Sequence, residues 1–185
     1  MEAIREDKLY TYSDYYSWDD DKRWELIDGI AYAMAPAPSL THQSLLGEFF
    51  YQLYTFLKGK TTCRVFIAPF DVRLNPDGLD DTVVQPDITV VCDESKLDDR
   101  GCRGVPEMAI EVLSPSSTKH DRVRKFELYQ RYGVIEYWIV DPVDKSVQVN
   151  ILENGQYGTK VYAKTEVVAV HTLEGCTIRL SDFFE

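Results

Sequence analysis

Two stretches decide how this chain folds: Val83-Val84-Gln85-Pro86-Asp87-Ile88-Thr89-Val90-Val91-Cys92 and Glu107-Met108-Ala109-Ile110-Glu111-Val112-Leu113. Each is short, largely apolar and bounded by polar, turn-forming residues, the pattern of a buried strand. Each also carries a carboxylate in apolar company, Asp87 at a strand entrance and Glu111 inside a strand. An unpaired charge is costly to bury, so both must reach solvent, a partner or a functional cleft. Carboxylates brought together repel unless they are protonated or bridged by a cation, so a metal site would explain the pairing. A solvated edge or a salt bridge is the plain structural alternative.

Working outward, Arg23 to Ile27 and Ile30 to Met34 read as a hairpin about Asp28-Gly29, where glycine accepts positive φ readily; Pro36 and Pro38 end it. Before it, Tyr12 to Asp21 carries a short helix. Ser39 caps a helix over Thr41 to Lys58, whose apolar face is Leu45, Leu46, Phe49, Phe50, Leu53, Phe56 and Leu57, with Gly59 as its stop. Arg64 to Leu74 reads as a strand, followed by the turn Asn75-Pro76-Asp77-Gly78. Beyond Glu111, Ser114-Pro115-Ser116-Ser117 breaks the chain. Thr118 then caps a helix whose apolar side is Val123, Phe126, Tyr129 and Tyr132, and Gly133 ends it. The strand Ile135 to Val140 follows, and then a β-rich tail of Ser146 to Leu152, the turn Asn154-Gly155, and Gly158 to Ala163. This order predicts an α/β fold, a mixed β-sheet flanked by helices with an N-terminal hairpin and a β-rich C-terminal tail. Neither a GxGxxG nor a Walker motif is present, which removes nucleotide-binding Rossmann and P-loop readings.

The chain of 185 residues suits a single domain spanning 1–185. Its 31 acidic and 20 basic residues give a formal net charge of -11, a field that repels a phosphate backbone and argues against a strong general DNA binder. A nuclease is still compatible, because a divalent metal would offset local charge. Cys63, Cys92, Cys102 and Cys176 are scattered without a CxxC pair, so a zinc knuckle is disfavoured and each reads as a small hydrophobe or unbridged thiol. The opening residues are acidic, and no apolar run reaches membrane-spanning length. The expected location is therefore the cytoplasm, with no membrane association. The aromatic supply makes a homodimer an expectation.

Lys125 sits one turn after Asp121 and one before Tyr129. It reads either as an exposed lysine paired with Asp121 or, near Asp87 and Glu111, as a cation for a developing negative charge. Glu25 reads as the polar face of a hairpin strand. His42 lacks a second histidine and suits capping or hydrogen bonding better than metal ligation; His120 and His171 have no ligand spacing either. Ser114, Ser116 and Ser117 lack a nucleophile elbow and are explained by turn and cap chemistry.

An ordered series of segments resembles the Uma-two family of restriction endonucleases, within the PD-(D/E)XK nuclease superfamily. The segments are WELIDG (Trp24 to Gly29), PSLTH (Pro38 to His42), FDVRL (Phe70 to Leu74) and QPDITVVCD (Gln85 to Asp93), then EMAIEVLSPSS (Glu107 to Ser117), DRVRKFELYQRYGV (Asp121 to Val134) and EYWIVDP (Glu136 to Pro142). The resemblance implies a restriction-endonuclease-like core in which Asp87 and Glu111 coordinate Mg2+, with Mn2+ possible, and DNA is the substrate. It gives Glu25 an additional acidic position. The superfamily's lysine two residues past the second acid is Leu113 here, and the resemblance moves that function to Lys125 on the next helix. The implied activity is metal-dependent endonucleolytic hydrolysis of DNA. A noncatalytic DNA- or protein-binding module retaining a nuclease-like cleft is the alternative. On this reading Lys125→Ala keeps the fold and most metal affinity while slowing cleavage, and Arg122 serves substrate binding.

Overall fold

The computed structural model describes residues 8–34, 38–59, 62–114 and 119–184, with backbone alone at 119–121. The chain runs through α1 (Tyr12–Tyr16), β1 (Trp24–Ile27), β2 (Ile30–Ala33), α2 (Leu40–Leu57), β3 (Arg64–Ile67), β4 (Val72–Arg73), β5 (Val83–Val84) and β6 (Ile88–Val91). It continues with β7 (Leu97–Asp98), β8 (Gly101–Arg103), β9 (Met108–Val112), α3 (Lys119–Tyr132), β10 (Glu136–Asp141), β11 (Ser146–Glu153), β12 (Gln156–Ala163), β13 (Val167–Ala169) and β14 (Thr177–Arg179).

Two six-stranded sheets result, in the orders β2-β1-β5-β4-β8-β7 and β12-β11-β10-β9-β6-β3, beside a small β13-β14 pair. Both large sheets are mixed, because β4 runs parallel to β8 and β9 parallel to β10. The division has a local cause. Val83 to Cys92, which reads as one strand, is cut at Gln85-Pro86-Asp87: β5 belongs to the first sheet and β6 to the second. Pro86 has no N–H to continue a ladder, so the chain changes partners there. Arg64 to Leu74 is divided in the same way around Pro69, giving β3 to the second sheet and β4 to the first.

The local signals behave as their chemistry dictates. Asp28 and Gly29 have φ of 51° and 76°, the paired positive values of a primed hairpin turn, and Asn154-Gly155 repeats the pattern at 52° and 79°. Ser39 Oγ accepts from His42 N at 3.2 Å and caps α2. Thr118 and the Asp121 side chain, expected to cap α3, lie outside the described residues.

The second sheet is covered on both faces, and strand alternation decides which residue goes where. On β9, Met108, Ile110 and Val112 join Ile88, Val90 and Trp138 under the α2 residues Leu45, Phe49 and Leu53. Ala109 faces the other way, with Tyr137 and Ile139, toward Leu128 and Tyr129 of α3. Phe49 and Leu53 are wholly buried, and truncating either would cost about 2–5 kcal/mol. Glu111 alternates with Val112 and so faces α3. Among the described residues no helix is long and apolar enough to cross a membrane.

The unbridged reading of the cysteines fails for two of them. Cys63 and Cys92 form a disulfide, whereas Cys102 and Cys176 are buried outside any bridge. The β3–β6 register pairs Arg64 with Val91 and sets the two cysteines opposite each other one step further on. Register across a sheet leaves no trace in cysteine spacing.

Candidate active site

The site lies where the chain crosses between the sheets. The β6–β9 register pairs Ile88 with Ile110, and one more step puts Asp87 opposite Glu111. Asp87 Oδ2 accepts from Val112 N at 2.8 Å and lies 3.2 Å from His42 Nε2 in the first turn of α2. Hydrogen bonding to Asp87 raises the His42 pKa against the opposing effect of burial, with the charges of Asp87 and Glu111 adding to the rise. The shift favours the protonated ring more than in a free imidazole, and Nε2 is the nitrogen that faces Asp87.

Glu111 Oε1 accepts from Lys125 Nζ at 2.7 Å and from Tyr129 Oη at 3.0 Å. These partners stand one turn apart on α3, stacked on the face that meets the sheet. Lys125 Nζ also donates to Glu25 Oε1 at 2.8 Å, and Gln85 N donates to the same oxygen at 2.8 Å. One ammonium thus ties Glu25 of the first sheet to Glu111 of the second. Lys125 is 7% exposed and Glu25 0%, which removes both the exposed-lysine reading and the polar-hairpin-face reading.

The electrostatics follow from an unequal count. Burial pushes the Glu111 pKa up to about 7; Lys125 opposes the rise, and Asp87 and Glu25 add to it. Burial would lower the Lys125 pKa, yet Glu111 and Glu25 outweigh it and hold the ammonium above its ordinary value. The two shifts are compatible because two carboxylates, Glu25 and Glu111, share one ammonium, and Asp87 adds negative charge at Glu111. The lysine stays charged, and Glu111 takes up a proton more readily than an ordinary carboxylate. Tyr129 is pushed well above its usual range by burial and then by Glu111, so it is a neutral donor.

The described hydrogen bonds use Asp87 Oδ2 and Glu111 Oε1, which leaves Asp87 Oδ1 and Glu111 Oε2 uncommitted among the described residues. Their side chains are 19% and 17% exposed, so both carboxylates reach the surface. Glu25 Oε2 is buried without a hydrogen-bond partner among the described residues. Among the described residues no cluster of three or more His, Cys, Asp and Glu is arranged around a metal position. Two hard carboxylate donors nevertheless fit magnesium, which binds through one or two carboxylates and keeps several waters.

Asp87, Glu111, Lys125 and Glu25 are therefore brought together. Arg122 stands apart, 3.9 Å from Asp141. Pro115 to Ser117 and the His120 side chain lie outside the described residues, and His171 contributes its backbone N–H to Glu136 instead. Sequence reasoning missed Tyr129 as a donor, although its place one turn after Lys125 was a usable signal. It also missed Gln85, whose role is carried by the backbone.

The structure superposes on "Crystal structure of a putative nuclease belonging to DUF820 from Anabaena variabilis ATCC 29413", with a TM-score of 0.75, 20% identity, and coverage of 94% of this chain and 97% of that one. The fold is thus a mixed α/β fold shared with that protein. A family profile described as "Putative restriction endonuclease" matches residues 12–181, and the chain belongs to that family, Uma2. A search of curated proteins finds no match.

Proposed function

We propose that the protein is a metal-dependent DNA endonuclease, in which Asp87, Glu111, Lys125 and Glu25 form the active site. The observation that carries this reading is the buried Lys125 ammonium held between Glu25 and Glu111 beside Asp87. A lysine serving solubility has no reason to be buried among carboxylates.

Asp87 and Glu111 would hold Mg2+, or Mn2+ in its place, and the bound cation supplies positive charge to the phosphate and acidifies a water. The chain's own groups do the rest. Lysine has three N–H donors, and Glu25 and Glu111 occupy two, so the third is left for a phosphate oxygen. Because its pKa is raised, Lys125 acts as a fixed cation and not as a base. His42 and Val112 N hold Asp87 in orientation, and Tyr129 does so for Glu111. Hydrolysis joins a water oxygen to phosphorus, breaks one phosphorus–ester bond and delivers a proton to the leaving oxygen. DNA of the cell would be met in the cytoplasm.

The chain's net charge of -11 favours a second reading, a binding module that kept the cleft without turnover. Single-turnover cleavage of single-stranded, nicked, branched and duplex DNA with magnesium or manganese separates the two. Cleavage by the native protein that is lost in Asp87→Ala supports the enzyme. Absence of cleavage on every form, with DNA binding retained, supports the module.

A further inference from the structure

Beyond the acidic cluster, a cavity of about 220 Å³ opens beside α1 and β1, with Tyr15, Tyr16, Trp18 and Trp24 among its lining residues. Gln85 closes one side and Asp20, Lys22 and Arg23 stand around it. Resting on the nuclease reading above, we infer that this pocket takes an unpaired nucleobase of the DNA strand, so that the substrate is single-stranded or carries an extruded base flanking the cleaved bond.

The chemistry of the lining selects that occupant. Aromatic walls stack on any base, because every base presents a π-face. The competing guest of an aromatic box is an organic cation, and here the chain already supplies cations to the rings. Lys22 Nζ lies 5.8 Å from the Trp24 ring centroid, and the Arg100 guanidinium 4.1 Å from that of Tyr16. A second positive charge would be repelled, whereas a neutral heterocycle would not.

Arg23 is held in place by its Nε and Nη2 bonds to Gln85 Oε1, at 2.9 and 2.7 Å. Its Nη1 has no hydrogen-bond partner among the described residues and is left to meet an acceptor on the base edge or the adjoining phosphate. Asp20 is engaged by Trp24 Nε1 at 2.9 Å. Two basic side chains against one acidic one make the lining net positive in a chain whose overall charge is -11.

Position ties the pocket to the acidic cluster. The Gln85 side chain lines the pocket while its backbone N–H holds Glu25, and Trp24 and Glu25 are neighbours pointing to opposite faces of β1. A strand reaching both features would have to cross the chain at Gln85-Pro86-Asp87, since Gln85 touches each of them. A base stacked within an intact duplex cannot enter, so the pocket favours strands with unpaired bases.

The test is fluorescence anisotropy of a labelled oligothymidylate and a labelled blunt duplex of equal length, in chelator without metal. The single strand is expected to bind at least about tenfold tighter than the duplex. Trp18→Ala should weaken the single strand about tenfold or more, and Trp18→Phe should restore most of that affinity. Because Trp18 packs on Tyr10, Tyr15 and Trp24, the exposed Arg23→Ala serves as a second variant, expected to lose several-fold on the single strand while keeping the native circular dichroism. Equal or tighter duplex binding overturns the inference, as does single-strand affinity unchanged in Arg23→Ala and in a folded Trp18→Ala. Cleavage plays no part in this readout, so failure of the nuclease reading and failure of the base pocket are separately visible.

Discussion

Glu25 and Glu136 are both wholly buried glutamates, and their surroundings could hardly differ more. Glu136 Oε1 accepts from Trp138 Nε1 at 2.8 Å and from His171 N at 3.0 Å, and its Oε2 from Thr172 N at 2.8 Å and Thr172 Oγ1 at 2.9 Å. Four neutral donors satisfy both oxygens, and the result pins the β13-side loop to β10. Glu25 has one neutral donor, Gln85 N, and one charged donor that it shares with Glu111, while its Oε2 has none among the described residues. A buried carboxylate that serves architecture is fully provided for. Glu25, with an open oxygen among the described residues and a borrowed ammonium, is not provided for in that way.

The largest effect that would break this contrast is at Lys125. Lys125→Ala leaves Glu25 buried without its counterion, so unfolding stability should fall by about 3–5 kcal/mol, and cleavage by about 10²-fold or more. The burial of Lys125 adds a stability cost to the expectation that this variant keeps its fold. Replacing both partners, as Glu25→Gln with Lys125→Met, should recover most of the stability in urea unfolding but none of the cleavage. Recovery of both would demote the ion pair to a packing element.

At the other glutamate, Glu136→Gln replaces an acceptor with an amide NH2 and leaves donors facing a donor. The expected loss is about 1–3 kcal/mol in thermal unfolding, with turnover per folded molecule unchanged. A fall in turnover would erase the distinction between the two carboxylates.

The smallest effect concerns pH. The Glu111 pKa is raised to about 7, so its carboxyl is increasingly protonated below that value and its open oxygen is a poorer ligand. Magnesium affinity by calorimetry should therefore fall about tenfold per pH unit as pH drops below 7, level off above it, and be accompanied by proton release near neutrality. A flat profile from pH 5.5 to 8 would mean an ordinary carboxylate. Asp87→Ala and Glu111→Ala should each weaken magnesium binding, and unchanged binding in both folded variants would remove the metal site.

What could be read in advance divides along the same physical line. The α2 helix, its Ser39 cap and the Asp28-Gly29 and Asn154-Gly155 turns depend on residues a few positions apart, and they are legible. The two-sheet division was half written in Pro86 and Pro69, but a proline inside an apolar run marks a break without naming the new partner. Asp87 and Glu111 were legible as a pair because apolar strands made their charges conspicuous. Lys125 was not legible as buried, since α3 is among the most polar stretches of the chain and its lysine resembles any solvated one. Its setting is made by Glu25, and only folding brings the two together. The Cys63–Cys92 bridge was hidden for the same reason, as a consequence of register.

The Glu25–Lys125 bond spans 100 positions of the chain, and this has a kinetic meaning. Contacts of such separation carry a loop-closure cost before they return any stabilisation, and they form late when a protein assembles. A nascent chain emerging from its N-terminus completes the hairpin and α2 with Asp87 and Glu111 still to come, and Lys125 later still. A nascent chain that has not yet reached residue 125 therefore lacks the ammonium that joins the two sheets. Whatever the site does, its full set of side chains is assembled only once a contact of this separation has formed.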